Sequence, residues 1–244
     1  SVGDDIEIYT DESRSEVAMT WYGLRQQAEK TAVDGVMRPS RCLADFVAPK
    51  MFAPESIAAS AGSTSATGLK GLKNSKIADY IGLFAVTAGL GAEKKEKAFL
   101  ADHDDYSSIL FKSLADRLAE AFAEALHQRV RQDLWGYVPA ESLDKDAMIA
   151  EKYQGIRPAP GYPACPDHSA KKAMFELLMA DDIGMALTTS LAMTPAASVS
   201  GFYLSHPQST YFSVGKIGDD QLQDLAQRRG AKASELQRLL APNL

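Results

Sequence analysis

Hydrophobic and polar residues alternate near the start of the chain. Ile6 and Ile8 alternate with acidic residues, and apolar side chains recur at every second position in Val17–Trp21. A period of two is typical of a β-strand with one buried face. Residues 4–24 are therefore predicted to be extended, and the apolar run Tyr80–Val86 is predicted to form a further strand.

The longest helical pattern runs from Tyr106 to Trp135. Apolar residues recur there with the period of an α-helix and form one stripe that is predicted to face the core: Leu110, Leu114, Leu118, Ala121, Phe122, Ala125 and Leu126. Asp116 and Glu120 are one helical turn apart on the opposite side of this helix. By their spacing alone, these two acids fit a plain solvated face as well as a binding site.

Helical and extended patterns continue to alternate in the second half of the chain. A helix is predicted to begin near Ser169 and to end before Gly184. Ala197–Leu204 and Tyr211–Ile217 are rich in β-branched and aromatic residues and flank a turn, which predicts a β-hairpin. Two closing helices are predicted at Asp220–Arg229 and Ser234–Leu240.

The order of these elements indicates the fold class. Strands and helices follow one another without the regular rhythm of a doubly wound fold, which favours α+β with an antiparallel sheet and flanking helices. With 244 residues and 45% hydrophobic content, one substantial core is expected, so residues 1–244 are predicted to form a single domain. Pro54–Lys76 is rich in Ala, Ser, Gly and Lys without periodicity, and is predicted to be a mobile surface insertion.

Composition and charge narrow the class of protein. The formal net charge is -6, and Lys and Arg are scattered, so a nucleic-acid partner is not expected. No apolar run approaches the roughly 20 residues that span a bilayer, so no membrane association is expected either. The acidic, strand-like start does not resemble a targeting peptide, and Cys42 and Cys165 form no redox motif. These features predict a cytoplasmic protein with reduced thiols.

Two familiar kinds of site are not favoured by the sequence. The histidines have no pair at metal-ligand spacing, so a metal site is not predicted. The turn Gly89–Ala92 follows an apolar run and precedes a Lys/Glu-rich helical segment, as in a nucleotide-binding loop. Its third glycine is missing, however, and no second strand–helix–strand unit follows.

The strongest candidate for a functional site is the segment Arg157–His168, RPAPGYPACPDH. Its four prolines fix the backbone and remove hydrogen-bond donors, so a stiff ribbon with outward carbonyl groups and no internal partners is predicted. Arg157 offers a planar fork for a carboxylate, and the ring of Tyr162 offers a face that attracts an organic cation such as a sulfonium. The segment therefore fits a loop that binds a small zwitterion, although a rigid structural loop or a proline-rich ligand fits the composition as well.

The second candidate is the aromatic pair Tyr211 and Phe212. Adjacent residues of a strand point to opposite faces, so one ring can enter the core while the other lines a pocket. An ordinary core position for both rings is the alternative.

At Arg157–His168 the sequence resembles the C-terminal activation domain of cobalamin-dependent methionine synthase. The resemblance covers nearly the whole chain. Its motifs occur in the family's order: VGDDIEIY (Val2–Tyr9), LRQQAEK (Leu24–Lys30), CLADFVAPK (Cys42–Lys50), DYIGLFAVTAG (Asp79–Gly89), HDDYSSI (His103–Ile109), LADRLAEAFAE (Leu114–Glu124), YQGIRPAPGYPACPDH (Tyr153–His168), ASVSGFYLSHP (Ala197–Pro207) and LAPNL (Leu240–Leu244).

The resemblance implies a C-shaped α+β domain with a twisted antiparallel sheet. It implies that the domain binds S-adenosylmethionine and supports the reductive methylation of cob(II)alamin, in methionine biosynthesis. The cobalamin would be held by a neighbouring domain of the same enzyme. A flavodoxin-type or diflavin reductase would supply the electron.

The resemblance also implies roles for individual residues. Arg157 would bind the methionyl carboxylate, the backbone at Ala159 would meet the adenosine, and Tyr162 would lie beside the sulfonium as the catalytic residue. Three further ligand contacts are implied at Tyr211, Phe212 and Glu120. Asp116 would contact the cobalamin-binding domain.

One expected difference leaves a second function open. The family's domain begins upstream of Ser1, and the upstream segment carries an aspartate that helps to hold the ligand. The chain could therefore be a docking and capping module for the cobalamin domain and the reductase, without competent S-adenosylmethionine binding. A free-standing methyltransferase of the glycine-rich class is not favoured.

Overall fold

A computed structural model describes residues 1–28, 30, 38–50 and 78–244. The strands are β1 (Ile6–Tyr9), β2 (Val17–Trp21), β3 (Gly82–Thr87), β4 (Ala186–Leu187), β5 (Met193–Thr194) and β6 (Ser198–Tyr203). The helices are α1 (Ala92–Ala101), α2 (Asp105–Arg129), α3 (Lys145–Ile149), α4 (Lys171–Leu177), α5 (Asp219–Arg229) and α6 (Ala233–Leu239). The predicted insertion at Pro54–Lys76 lies outside the described residues.

The described strands pair two by two, and every pair is antiparallel: β1 with β2, β3 with β6, and β4 with β5. Ile6 lies opposite Trp21 in the first pair, and both side chains are buried, as the alternating pattern predicts. The longest pair, β3 with β6, runs from Gly82 opposite Tyr203 to Thr87 opposite Ser198. Helices and antiparallel strands together confirm the α+β fold class.

The predicted hairpin between Ala197–Leu204 and Tyr211–Ile217 is wrong. β6 pairs with β3, and residues 211–217 form no strand. The backbone of this later segment is bonded elsewhere, because Val214 N donates to Pro163 O at 2.8 Å and Ile217 N donates to Asn243 O at 2.8 Å. The segment therefore joins the loop Arg157–His168 to the C-terminus of the chain.

Helix α2 is where predicted, but its buried face is not the predicted one. Its N-terminus is capped by Asp104, whose carboxylate accepts from Ser107 N. Ala115, Ala119 and Ala123 face the core, with Ala119 only 1% exposed. The predicted stripe lies largely in solvent. Leu118, for example, is 63% exposed.

The physical reason is the shape of the sheet beneath this helix. Phe84 of β3 and Tyr203 of β6 stack with ring centroids 4.6 Å apart and fill the space under the helix. Alanine side chains allow the helix axis to approach these rings closely, whereas leucines would hold it away. Hydrophobic size alone therefore pointed to the wrong face.

Two other predicted helix boundaries agree with the structure. Asp167 accepts a hydrogen bond from Ser169 N where the predicted helix starts, although a left-handed Met179 splits this region into α4 and a short 3-10 turn. α5 ends at Gly230, which has φ 61°. No helix in the described part of the chain combines the length and the apolar character needed to cross a membrane.

Candidate functional site

The start of the proline-rich loop (Arg157–His168) runs along the edge of β6 that does not pair with β3. Pro158 O accepts from Phe202 N at 2.9 Å, and Ala159 O accepts from the buried Cys165 thiol at 2.9 Å. The predicted carbonyl groups without internal partners are therefore wrong at these positions. The prolines remove backbone donors from the loop, but Phe202 N of β6 and the Cys165 thiol of the loop itself supply donors instead.

The tip of the loop is a tight turn that presents Tyr162. Tyr162 N donates to Ala159 O at 3.1 Å, and Cys165 N donates to Tyr162 O at 2.9 Å. The Tyr162 side chain is exposed, with 58% of its surface open. Its ring is thus held by its backbone and available to a ligand or another protein.

Gly161 makes this turn possible. Its φ is +97°, a conformation that other L-residues rarely adopt, and a Cβ atom there would overlap the imidazole of His168. The loop folds back on its own C-terminal end at this point. Glycine is therefore required for the shape of the candidate site.

Arg157 lies at the inner end of the loop and is the centre of a polar cluster. Its Nη1 lies 2.9 Å from Tyr153 Oη and 3.3 Å from His127 Nδ1. Its Nη2 lies 2.6 Å from Glu124 Oε2, and the two side chains of this ion pair are 18% and 29% exposed. Nε has no partner among the described residues. The guanidinium is thus held firmly on one side and available on the other.

The structure brings Tyr211 to Arg157 and packs the partly buried Phe212 against the core. Tyr211 Oη accepts from Arg157 N at 3.0 Å. The Phe212 ring packs between two core clusters and lies edge-on to Phe46, with centroids 6.5 Å apart. The two adjacent rings therefore diverge, as the sequence suggests, and Tyr211 is the one at the candidate site.

Asp116 and Glu120 lie on the exposed surface of α2, without a hydrogen bond or ion pair among the described residues. The structure does not join them to Arg157. The acid that contacts Arg157 is Glu124, one turn further along α2, which sequence reasoning missed. Its Oε1 atom is buried and has no hydrogen-bond partner among the described residues.

His127 follows Glu124 on α2 and was also missed. The side chain is fully buried against Tyr153 and Tyr203. Burial, together with the charges of Arg131 and Arg157, lowers the pKa of His127 to about 3. The imidazole is therefore neutral near pH 7. The spacing of Glu120, Glu124 and His127 along one side of α2 is a signal in the sequence that could have found both residues.

The described residues contain no group of His, Cys, Asp and Glu side chains that could hold a metal ion. Both cysteines are free and buried, and burial raises the pKa of each thiol above its usual range. The groups that the candidate site presents are a guanidinium, tyrosine rings and a rigid backbone.

An α+β domain with one rigid loop and a half-buried arginine at the start of that loop is the class that this fold and this site define. Residues 1–230 match the model of a protein family described as "Vitamin B12 dependent methionine synthase, activation domain". The chain belongs to this family, as its resemblance indicated, and is therefore a domain of a methyltransferase.

A solved structure supports the same assignment. It is described as the crystal structure of the MetH reactivation domain bound to AdoHcy, and its sequence is 51% identical to this chain. The match covers 100% of this chain and 67% of that chain, with a TM-score of 0.83. The fold and the family of the domain agree in the two comparisons.

Proposed function

We propose that this domain binds S-adenosylmethionine at the proline-rich loop and supports reductive methylation of cob(II)alamin. Cobalamin, held by a neighbouring domain, would supply the cobalt that takes an electron from a flavodoxin-type or diflavin reductase and then the methyl group. AdoHcy, the ligand of the solved relative, is what remains of S-adenosylmethionine once its methyl group is transferred. The two molecules share the adenosine and the amino-acid end.

The observation that carries the proposal is the state of Arg157. Nη1 is held by Tyr153 and His127, while Nε has no partner among the described residues. A carboxylate accepts two parallel N–H bonds from a guanidinium, so a fixed fork with an available edge suits the methionyl end of the ligand. Arg157 is therefore the proposed carboxylate contact.

The other proposed contacts surround this fork. Ala159 would meet the adenosine through its backbone. Tyr162, the proposed catalytic residue, would place the face of its exposed ring beside the sulfonium, which a ring quadrupole attracts. Tyr211 would contact the ligand directly, and Phe212 would support it from the core side.

Two acidic residues on α2 would make the remaining contacts. Glu120 would pair with the ligand's ammonium group, and Asp116 would contact the cobalamin-binding domain. Both carboxylates are exposed and unpaired among the described residues, so neither has to break an existing bond. Their separation by one helical turn would place the two contacts side by side.

A specific observation favours a second candidate function, a docking and capping module without competent ligand binding. Glu124 already neutralises Arg157 at 2.6 Å, and a ligand carboxylate must share or displace that partner. Like charges brought together at one guanidinium weaken binding. The domain would then act by covering the cobalamin and recruiting the reductase.

Calorimetric titration of S-adenosylmethionine into the chain distinguishes these two functions. Saturable heat that disappears in Arg157→Ala supports binding at the loop. Arg238→Ala, on the exposed side of α6, is the matched control and should bind as the parent does. Absence of saturable heat from the parent chain, with reactivation retained in the full-length enzyme, would favour the docking function.

A further inference from the structure

Beneath Arg157 lies a group of polar side chains buried to an unusual degree. His127 and Arg131 are fully buried, and Tyr153 and Tyr203 are nearly so. Burying such groups costs free energy unless each has partners, so their arrangement is constrained. The proposed function uses Arg157 but leaves this group without a role.

The hydrogen bonds of His127 have a fixed direction. A guanidinium can only donate, so His127 Nδ1, at 3.3 Å from Arg157 Nη1, must accept. The ring proton is therefore on Nε2, which lies 3.4 Å from Tyr137 Oη. Tyr137 Oη accepts from Nε2 and directs its own hydrogen to Gln154 O at 3.4 Å.

Aromatic rings hold the imidazole on its faces and edges. Tyr203 stacks on it with centroids 5.1 Å apart and an interplanar angle of 18°. Tyr153 meets it edge-on, with centroids 5.0 Å apart and an angle of 81°. The ring cannot rotate without displacing one of these tyrosines, so the lone pair of Nδ1 stays directed at Arg157.

Arg131 holds Tyr153, one of the two tyrosines that surround the His127 ring, in place. The last turn of the α2 region, Val130–Leu134, is a π-helical turn, a local distortion that often marks functional sites. It precedes Trp135 and carries Arg131 into the core. There the guanidinium lies 4.1 Å from the centroid of the Tyr153 ring and pairs with Glu141. Tyr153 is thus clamped between His127 and Arg131.

From this geometry we infer that His127 is a positioning residue, which orients the Arg157 fork toward the carboxylate of the ligand. This inference rests on the proposed function, because it says which residue fixes the orientation of the guanidinium that would bind the ligand. His127 and Tyr153 take both hydrogens of Nη1, so only Nε and the Nη2 hydrogen that Glu124 does not take can turn outward. The neutral imidazole contributes as an acceptor, which a charged imidazolium could not do.

A pair of amide substitutions isolates this acceptor. The oxygen of an asparagine falls near the position of Nδ1, whereas that of a glutamine falls near Nε2. His127→Asn therefore keeps an acceptor for Arg157 and His127→Gln moves it away, while both bury a similar polar group. The readout is affinity for S-adenosylmethionine relative to decarboxylated S-adenosylmethionine, which lacks the carboxylate that Arg157 would bind.

We expect the parent chain and His127→Asn to share the same preference for the carboxylate-bearing ligand. In His127→Gln this preference should fall about tenfold, the size of one well-placed hydrogen bond. A general structural role would weaken both ligands together and leave the preference unchanged. Equal preferences in the two variants would overturn the positioning role.

Failure of the proposed function has a different outcome. A parent chain that binds neither ligand would overturn the proposed function and, with it, the positioning role. A parent chain that prefers S-adenosylmethionine, with a His127→Gln variant that retains this preference, would overturn the positioning role alone. Urea unfolding of each variant confirms that the binding measurements refer to folded protein.

Discussion

Two arginine–glutamate pairs lie close together in this domain and differ in how far they are closed. Arg131 and Glu141 are 0% and 5% exposed, and Nε and Nη2 of the arginine contact both carboxylate oxygens at 2.7–3.0 Å. Arg157 and Glu124 are 18% and 29% exposed and share one contact. The same two residue types thus form a sealed pair, Arg131–Glu141, which supports the core, and an open pair, Arg157–Glu124, which remains available to a ligand.

The difference follows from where the backbone places each arginine. Arg131 is carried inward by the π-helical turn, and Arg157 begins a loop that runs along a sheet edge. Burial decides what each pair contributes, since a sealed pair is sensitive to losing either partner whereas an open pair can exchange one. Substitutions in each pair, and at the residues next to them, test this contrast.

Removing the charge of the sealed pair should affect stability most. Glu141→Gln leaves the Arg131 guanidinium buried without its counter-ion, and we expect the free energy of unfolding to fall by about 3–5 kcal/mol. Urea denaturation measures this change. Asp133→Asn, which breaks the exposed pair with Arg129, is the matched control and should leave the midpoint nearly unchanged. Equal shifts in the two variants would contradict the contrast.

Truncating the open pair should affect binding instead. Arg157→Ala should weaken S-adenosylmethionine binding by about 2–3 kcal/mol, or roughly 30- to 140-fold in Kd. Arg157→Lys should recover only part of this loss, since an ammonium cannot present two parallel donors. Titration calorimetry provides the measurement. An alanine variant that binds as tightly as the parent would remove Arg157 from the site.

The histidine between the two pairs should make stability depend on pH. The pKa of His127 is lowered to about 3, whereas an unfolded histidine titrates near 6.5. Between these values the unfolded chain binds more protons, so stability is full above about pH 6.5 and is lost as the pH falls. From pH 6 to 4.5 we expect a loss of about 2 kcal/mol from this group. The loss should be absent from His127→Asn, and parallel profiles would refute the assignment.

The acids on α2 should have the smallest effects, and these should differ. Glu120→Gln should weaken S-adenosylmethionine binding by about 1–2 kcal/mol and leave stability unchanged. Asp116→Asn should keep binding but impair reactivation of the full-length enzyme, because its proposed contact is to the cobalamin domain. If both substitutions have the same small effect in both assays, this face is solvated surface.

Local patterns in the sequence predicted local structure well. The alternation around Ile6 and Trp21 located β1 and β2, and Gly230 located the end of α5, because each depends on neighbouring residues alone. The resemblance at Arg157–His168 located the loop that carries Arg157 and Tyr162, and it indicated the family. Arg157 N donates to Tyr211 Oη in the structure.

Features that depend on distant contacts were not predictable in this way. The buried face of α2 is set by rings on β3 and β6, so its leucine periodicity was misleading. β6 pairs with a strand more than a hundred residues earlier, so the nearby hairpin signal was wrong. Glu124, His127 and Tyr153 acquire their roles only when the fold brings the Arg157 side chain against them.

Gly161 determines how the site tolerates variation. Any side chain at this position collides with His168 and must also adopt a left-handed backbone, so randomising the codon should return glycine alone in a selection for reactivation. Gly215 shares the left-handed backbone but has open space around its Cβ position, so asparagine and aspartate should survive there. The shape of the loop therefore depends on the absence of a Cβ atom at residue 161. In a library of the loop, accepted substitutions would be confined to the residues on either side of Gly161.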